Sequence, residues 1–240
     1  MKNKTSDKFA ILSHVLPPSS SGQAVMLYRI LESIPKENYC LISRENYNLK
    51  GYVKNASKKL PAKYYTLKTN INDGKYFSYK IGKLIEYSKI FGNITFRAKQ
   101  IKNILKKENV KILFVCSGDF TDMVSGYLAA KYLRIKLVPY MFDWFIYQWT
   151  GIFRTLSKMV EPMVIKRSSA IIVPNEFLER EIYQKYHKKS VIIRNPCLLP
   201  NLSALDKKPR IFNSKYVNIV YTGAIYRAHY DAFRNLLEAI

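Results

Sequence analysis

The chain has 240 residues, 40 Lys+Arg against 17 Asp+Glu, a formal net charge of +23 and a hydrophobic fraction of 48%. Disorder needs low hydrophobicity beside high net charge, so this apolar content excludes a disordered basic tail. Nine Gly and ten Pro exclude a collagen-like or low-complexity chain.

A chain of this length buries a sizeable core without staples. Its three cysteines, Cys40, Cys116 and Cys197, show no CxxC or Cys/His spacing. Neither a disulfide framework nor a metal site is therefore expected, and a reducing cytosol is the natural compartment. The polar N-terminus does not read as a signal peptide. The most apolar stretch, residues 137–153, holds Pro139, Asp143 and Gln148. It falls short of the roughly 20 clean residues of a membrane span.

In chain order, residues 9–15 form an apolar run closed by Pro17-Pro18, which reads as a buried parallel strand. A Ser19-Ser20-Ser21-Gly22 loop follows. A helix is predicted over 24–34, with Ala24, Leu27, Leu31 and Ile34 on one side. Strands are predicted at 39–43 and 64–67. Residues 76–107 are amphipathic, and Gly92-Asn93 is expected to split them into two helices. A strand at 111–116 is closed by Ser117-Gly118-Asp119. A helix over 121–133 follows, with Thr121 as its cap. Then come a strand at 135–141, a helix at 152–167 that Pro162 kinks, a strand at 170–173, a helix at 176–186 and a strand at 190–194. This alternation predicts an α/β fold: a doubly wound, mostly parallel, Rossmann-like sheet of six or seven strands with helices on both faces. Residues 196–215 are rich in Pro and Asn and read as a linker. Residues 217–223 read as a fresh strand and 231–240 as the opening of a helix. The expected organisation is a domain over 1–195, a linker over 196–215, and a truncated second domain over 216–240.

The charge is uneven. Residues 45–107 hold fifteen Lys/Arg against three acids, a net +12, with Tyr and Phe interleaved. Three readings stay open: an anionic membrane surface, a plain solvated face, or nucleic acid.

In open α/β sheets ligands bind beyond the carboxyl ends of the strands. The loop with Ser21 and Gly22 suits a phosphate at a helix N-terminus, or is simply a capped helix start. It is neither GxGxxG nor Walker A, which argues against a Rossmann oxidoreductase. Ser117 follows the fourth strand. Phe142 and Asp143 follow the fifth. Asp143 lies among Trp144, Phe145, Tyr147 and Trp149. A carboxylate behind an apolar strand costs desolvation unless it is paired or functional, so Asp143 is the leading catalytic candidate, with a turn residue as the alternative. His14 falls inside the first strand and reads as a satisfied core histidine. His187 reads as solvated, and His229 as facing an interdomain cleft or the surface.

Several segments together resemble the retaining glycosyltransferases of the large family 4 type, with the GT-B fold. Residues 11–18, followed by a loop with Gly22, look like that family's first strand and loop. Val138-Pro139-Tyr140-Met141-Phe142-Asp143 resembles its strand end before a His-Asp pair, with Phe142 in place of the histidine. Residues 170–176, ending in Glu176, are similar to its "vivpSe" segment. Val191-Ile192-Ile193-Arg194-Asn195-Pro196 is similar to its interdomain crossing. Val220-Tyr221-Thr222-Gly223 resembles the opening of its nucleotide-sugar domain.

The resemblance implies an N-terminal domain that shapes the acceptor site and a second domain that binds a nucleotide-diphosphate sugar. It implies transfer with retention to a glycan or lipid-linked acceptor, without a bound metal or tightly held cofactor. Asp143 is then a catalytic residue. Ser21 and Gly22 bind acceptor or phosphate, and Ser117, Phe142, Glu176 and Asn195 line the cleft. Gly223 and Arg227 hold the donor. The family's Glu-x7-Glu would lie beyond Ile240, so this chain alone is expected to be inactive. The basic stretch would dock a cytoplasmic protein on the inner face of the membrane. The competing hypothesis is a non-catalytic basic α/β module for nucleic acid or another polyanion. The excess of Lys over Arg disfavours base readout.

Overall fold

The computed structural model describes residues 7–48, 59–68, 80–197, 215–223, 225 and 229–240, with the side chains of 80–87 left aside. The chain divides into two compact units, Met1–Pro196 and Cys197–Ile240.

The first unit is one sheet of seven strands: β1 (Phe9–Leu12), β2 (Tyr39–Ser43), β3 (Lys63–Thr66), β4 (Ile112–Cys116), β5 (Lys136–Tyr140), β6 (Ile172–Val173) and β7 (Val191–Ile192). Their order is β3-β2-β1-β4-β5-β6-β7. Every pairing is parallel. Among the described residues, five α-helices belong to this unit: α1 (Gly22–Leu31), α2 (Lys80–Lys107), α3 (Phe120–Leu133), α4 (Gly151–Arg167) and α5 (Glu176–Tyr186). This is the doubly wound α/β fold that the alternation of elements predicts.

Successive strand residues point to opposite faces. Ala10, Leu12, Cys40, Ile42, Leu113 and Val115 enter one core with residues of α2, α3, α4 and α5. Ile11, Leu41, Tyr140 and Ile172 enter the other with Met26, Leu27 and Leu31 of α1. Central strands buried on both faces cannot alternate polar with apolar, which is why β1 and β4 read as continuous apolar runs. Helix α3 lies close on β1 and β4. A Cβ at Gly126 would stand 2.7 Å from Val115 Cγ2 and 3.0 Å from Leu12 Cδ2, so only glycine fits there.

Expectations are corrected at four places. Gly92 does not split α2, which runs unbroken over 28 residues. A glycine costs a helix about 1 kcal/mol, and burial of Ile90, Ile94, Ile101 and Leu105 outweighs that. The cap of α3 is Asp119, not Thr121: extended backbone at Asp119 lets its carboxylate accept from the Asp122 N–H at 2.8 Å. Strand β1 ends at Leu12, so His14 lies in the following loop. Its buried Nδ1 has no hydrogen-bond partner among the described residues, so it is not a satisfied core histidine. Residues 217–223 form no strand; they are exposed, and no strand among the described residues pairs with them. The last helix is α6 (Tyr230–Glu238), in the second unit. There Tyr221 sets its ring edge-on to Phe233, with centroids 4.8 Å apart.

Candidate functional site

The loops after β1, β4, β5 and β7 all emerge at the carboxyl end of the sheet. The chain reverses its direction of strand addition between β1 and β4, the kind of switch point beside which open α/β sheets bind ligands.

After β1, the buried Ser13 hydroxyl accepts from Gln23 Nε2 at 2.6 Å, which ties the loop to α1. Ser21 caps α1, its Oγ accepting from the Ala24 N–H at 3.3 Å. After β4, the buried Ser117 Oγ accepts from the Phe142 N–H at 3.0 Å and from Gln148 Nε2 at 3.2 Å. Ser117 therefore holds the loop after β5 in place from behind. Phe142 stacks on Tyr140 with ring centroids 4.5 Å apart and planes 10° apart. The Tyr140 hydroxyl lies 3.5 Å from the Ile193 carbonyl, which brings the end of β7 alongside.

Between these loops lies a cleft of about 540 Å³, within the range of small-molecule sites. Its apolar lining is Val25, Met26, Phe142 and Pro196. Its polar lining is Gln23, Arg29, Asp143 and Asn195, and Gly22 completes it. Arg29, in the last turn of α1, donates to the Pro196 carbonyl. A Cβ added to Gly22 would meet open space, so the start of α1 is accessible.

The structure thus places Gly22, Phe142, Asp143 and Asn195 around one cleft. Ser21 is engaged as a helix cap, and Ser117 braces the β5 loop rather than lining the cleft. Glu176 does not line it either; it pairs with Arg194. Gly223 belongs to the second unit, and Arg227 lies outside the described residues. Asp143 is exposed, so the desolvation argument for it does not hold. The sequence reading missed Gln23 and Arg29. Positions 22, 26 and 29 share a helical face, but a lone Gln and Arg there look like a solvated surface.

It also missed a buried charge network beside the switch point. Arg97 of α2 donates to Asp122 Oδ1 at 2.6 Å and to Asp119 Oδ1 at 3.2 Å. Arg44, after β2, meets Asp119 Oδ2 at 2.8 Å. The Asp122 side chain is wholly buried. Burial, reinforced by the charge of Asp119, pushes its pKa up to about 7 against the pull of Arg97 and Arg44. Burial lowers the His14 pKa by more than nearby Asp119 raises it. The His14 ring lies against Gly118, where a Cβ would stand 2.6 Å from Nδ1. Arg97 and Lys63, counted with the basic stretch, are committed to carboxylates. Tyr47, Tyr64 and Tyr65 of that stretch pack in or against the cores.

No protein-family model matches the chain. No curated protein sequence matches it either. Solved structures do. The lipopolysaccharide outer core galactosyltransferase WaaB is 13% identical with a TM-score of 0.50, covering 81% of this chain and 47% of its own. Sucrose-phosphate synthase from Thermosynechococcus elongatus is 12% identical with a TM-score of 0.52, covering 78% and 48%. HepE of Anabaena, solved in complex with UDP and glucose, is 12% identical with a TM-score of 0.47, covering 80% and 45%. The chain has the Rossmann-like α/β fold of GT-B glycosyltransferases and spans about half the length of the solved structures it matches. Among the described residues no helix is long and apolar enough to cross a membrane.

Proposed function

We propose that this chain is the acceptor-side part of a glycosyltransferase that moves a sugar, with retention, from a nucleotide-diphosphate sugar to a glycan or lipid-linked acceptor. The observation that carries the reading is the cleft: an aromatic ring, an amide, a carboxylate and a guanidinium gathered at the carboxyl end of a parallel sheet, beside its switch point. In this reading Phe142 offers a ring face to a sugar, and Asp143 accepts a hydrogen bond from the acceptor hydroxyl, orienting its oxygen towards the anomeric carbon of the donor. Residues 216–240 then open the nucleotide-sugar domain, with Gly223 and Arg227 on the donor side.

The test is transfer of label from UDP-glucose or UDP-galactose to extracted membrane glycolipid by the full-length gene product containing this chain. Asp143→Asn is expected to slow transfer about 100-fold, the scale of a misplaced reactant, with its unfolding midpoint unchanged. Unchanged turnover would make Asp143 a turn residue, and no transfer from any nucleotide sugar would sink the reading.

The same reading places the protein on the inner membrane surface. On α2, Lys99, Lys102 and Lys106 fall at helical spacing. Lys102 and Lys106 stand over the exposed Tyr132 ring, Lys102 at 4.2 Å. Each lysine near an anionic bilayer contributes about 1 kcal/mol, and salt screens it. The protein is expected to sediment with phosphatidylglycerol vesicles at low salt, to ignore phosphatidylcholine vesicles and to come off in high salt. Lys→Glu at 99, 102 and 106 together should abolish binding. Equal binding to both vesicles would refute the electrostatic attachment, and salt-sensitive binding to nucleic acid in its place would favour a polyanion-binding module.

A further inference from the structure

Arg29 differs from three other arginines near the carboxyl end of the sheet. Arg44, Arg97 and Arg194 each sit on a carboxylate. Arg29 is half-buried and lines the cleft, and among the described residues its hydrogen-bond partner is the Pro196 carbonyl. A guanidinium carries five N–H donors in a fixed fork, so one bond to a neutral carbonyl leaves most of them, and the whole charge, uncommitted. Asp143 shares the cleft, yet it forms no ion pair with Arg29. The cleft therefore presents separated charges: a cation by the last turn of α1 and Pro196, and a carboxylate after β5.

A neutral sugar would leave Arg29 half-desolvated without a counter-charge, which costs free energy. A carboxylate or phosphate matches its fork with two charge-assisted hydrogen bonds. Hydroxyls of the same ring suit Asp143 and Asn195, and the face of Phe142 not covered by Tyr140 suits the ring's C–H groups. We infer that the sugar bound in this cleft is acidic, a uronic acid or a sugar phosphate, with its anionic oxygens on Arg29. The inference rests on the reading of the cleft as the acceptor side.

The test is calorimetric titration of the 240-residue chain with four probes: glucuronate, glucose 1-phosphate, glucose and inorganic phosphate. The expected result is at least tenfold tighter binding of one or both acidic sugars than of glucose, with inorganic phosphate weaker than either. Glucuronate or glucose 1-phosphate binding alone identifies which acid the site takes. Arg29→Gln should erase the preference for the acidic sugars over glucose, and Arg29→Lys should keep part of it. Arg29→Lys keeps the charge should the Gln variant fail to fold. No preference in the wild type, a preference that survives Arg29→Gln, or inorganic phosphate binding as tightly as the sugars would overturn the inference. Transfer to neutral acceptors with no acidic preference would sink this inference alone. Arg29-dependent binding of acidic sugars without transfer from any donor would sink the enzyme reading alone.

Discussion

Replacing Arg97 by Met should cost about 3–5 kcal/mol of stability at pH 8, the scale of breaking a buried ion pair by removing one partner. Arg97 is 8% exposed and Asp122 0%. Without the guanidinium, the buried Asp122 keeps only the weaker pull of Arg44, which Asp119 also engages, so at pH 8 it must hold its charge or take up a proton at a cost. The loss should shrink at pH 5, where Asp122 is protonated in both proteins. The direction follows from where its pKa stands. It is already raised to about 7 in the folded chain against an ordinary 3.8. A raised carboxyl contributes stability that is complete below about 3.8 and lost as pH rises through about 7, since the folded state then binds the extra proton. Removing Arg97 moves that pKa higher still. Urea unfolding of both proteins at pH 5 and pH 8 reads the effect directly. Equal losses at the two pH values, or a loss under 1 kcal/mol, would mean that the network is not energetically coupled.

Glu108 acts in the opposite direction at the other end of the sheet. It follows α2, is almost fully buried, and receives Lys8, Lys63 and Tyr65. Burial alone would raise its pKa; Lys8 first, then Tyr65 and Lys63, hold it down at about 2 from an ordinary 4.5. Stability from this group is therefore present above about 4.5 and lost as pH falls through about 2. Glu108→Gln keeps the shape and removes the charge. It should cost about 3 kcal/mol at neutral pH, the worth of such a shift, and less to the extent that Lys63, 70% exposed, is screened by solvent. The variant should also lose the wild type's decline in stability between pH 4.5 and pH 2. An acid-unfolding curve that keeps the wild-type slope in that window would show that the lysines are solvated rather than bound.

These two clusters mark where sequence reasoning stops. Arg97 sits in a lysine-rich helix and counts there as one more surface charge. Only the packing of α2 against α3 turns it inward on to Asp122, whose partner lies 25 residues away in sequence. Glu108 and Lys8 are 100 residues apart, and no local pattern announces their meeting. The cleft divides in the same way. Gly22, Phe142, Asp143 and Asn195 could be found because each follows a strand, and a parallel sheet sends every such loop to one edge. Gln23 and Arg29 lie within a helix, so their place in the cleft depends on how α1 is rotated over the sheet.

What the sequence determined by itself was periodicity and punctuation. Apolar runs of strand length and helical spacing between them were enough for a doubly wound parallel fold and for the edge where a site would lie. These are local consequences of side-chain direction and backbone hydrogen bonding. Tertiary structure alone decided which charges are buried, which serine braces rather than binds, and that α2 runs straight through Gly92. Each of those depends on the sum of long-range packing and desolvation. That sum outweighs the roughly 1 kcal/mol preferences on which a local reading rests.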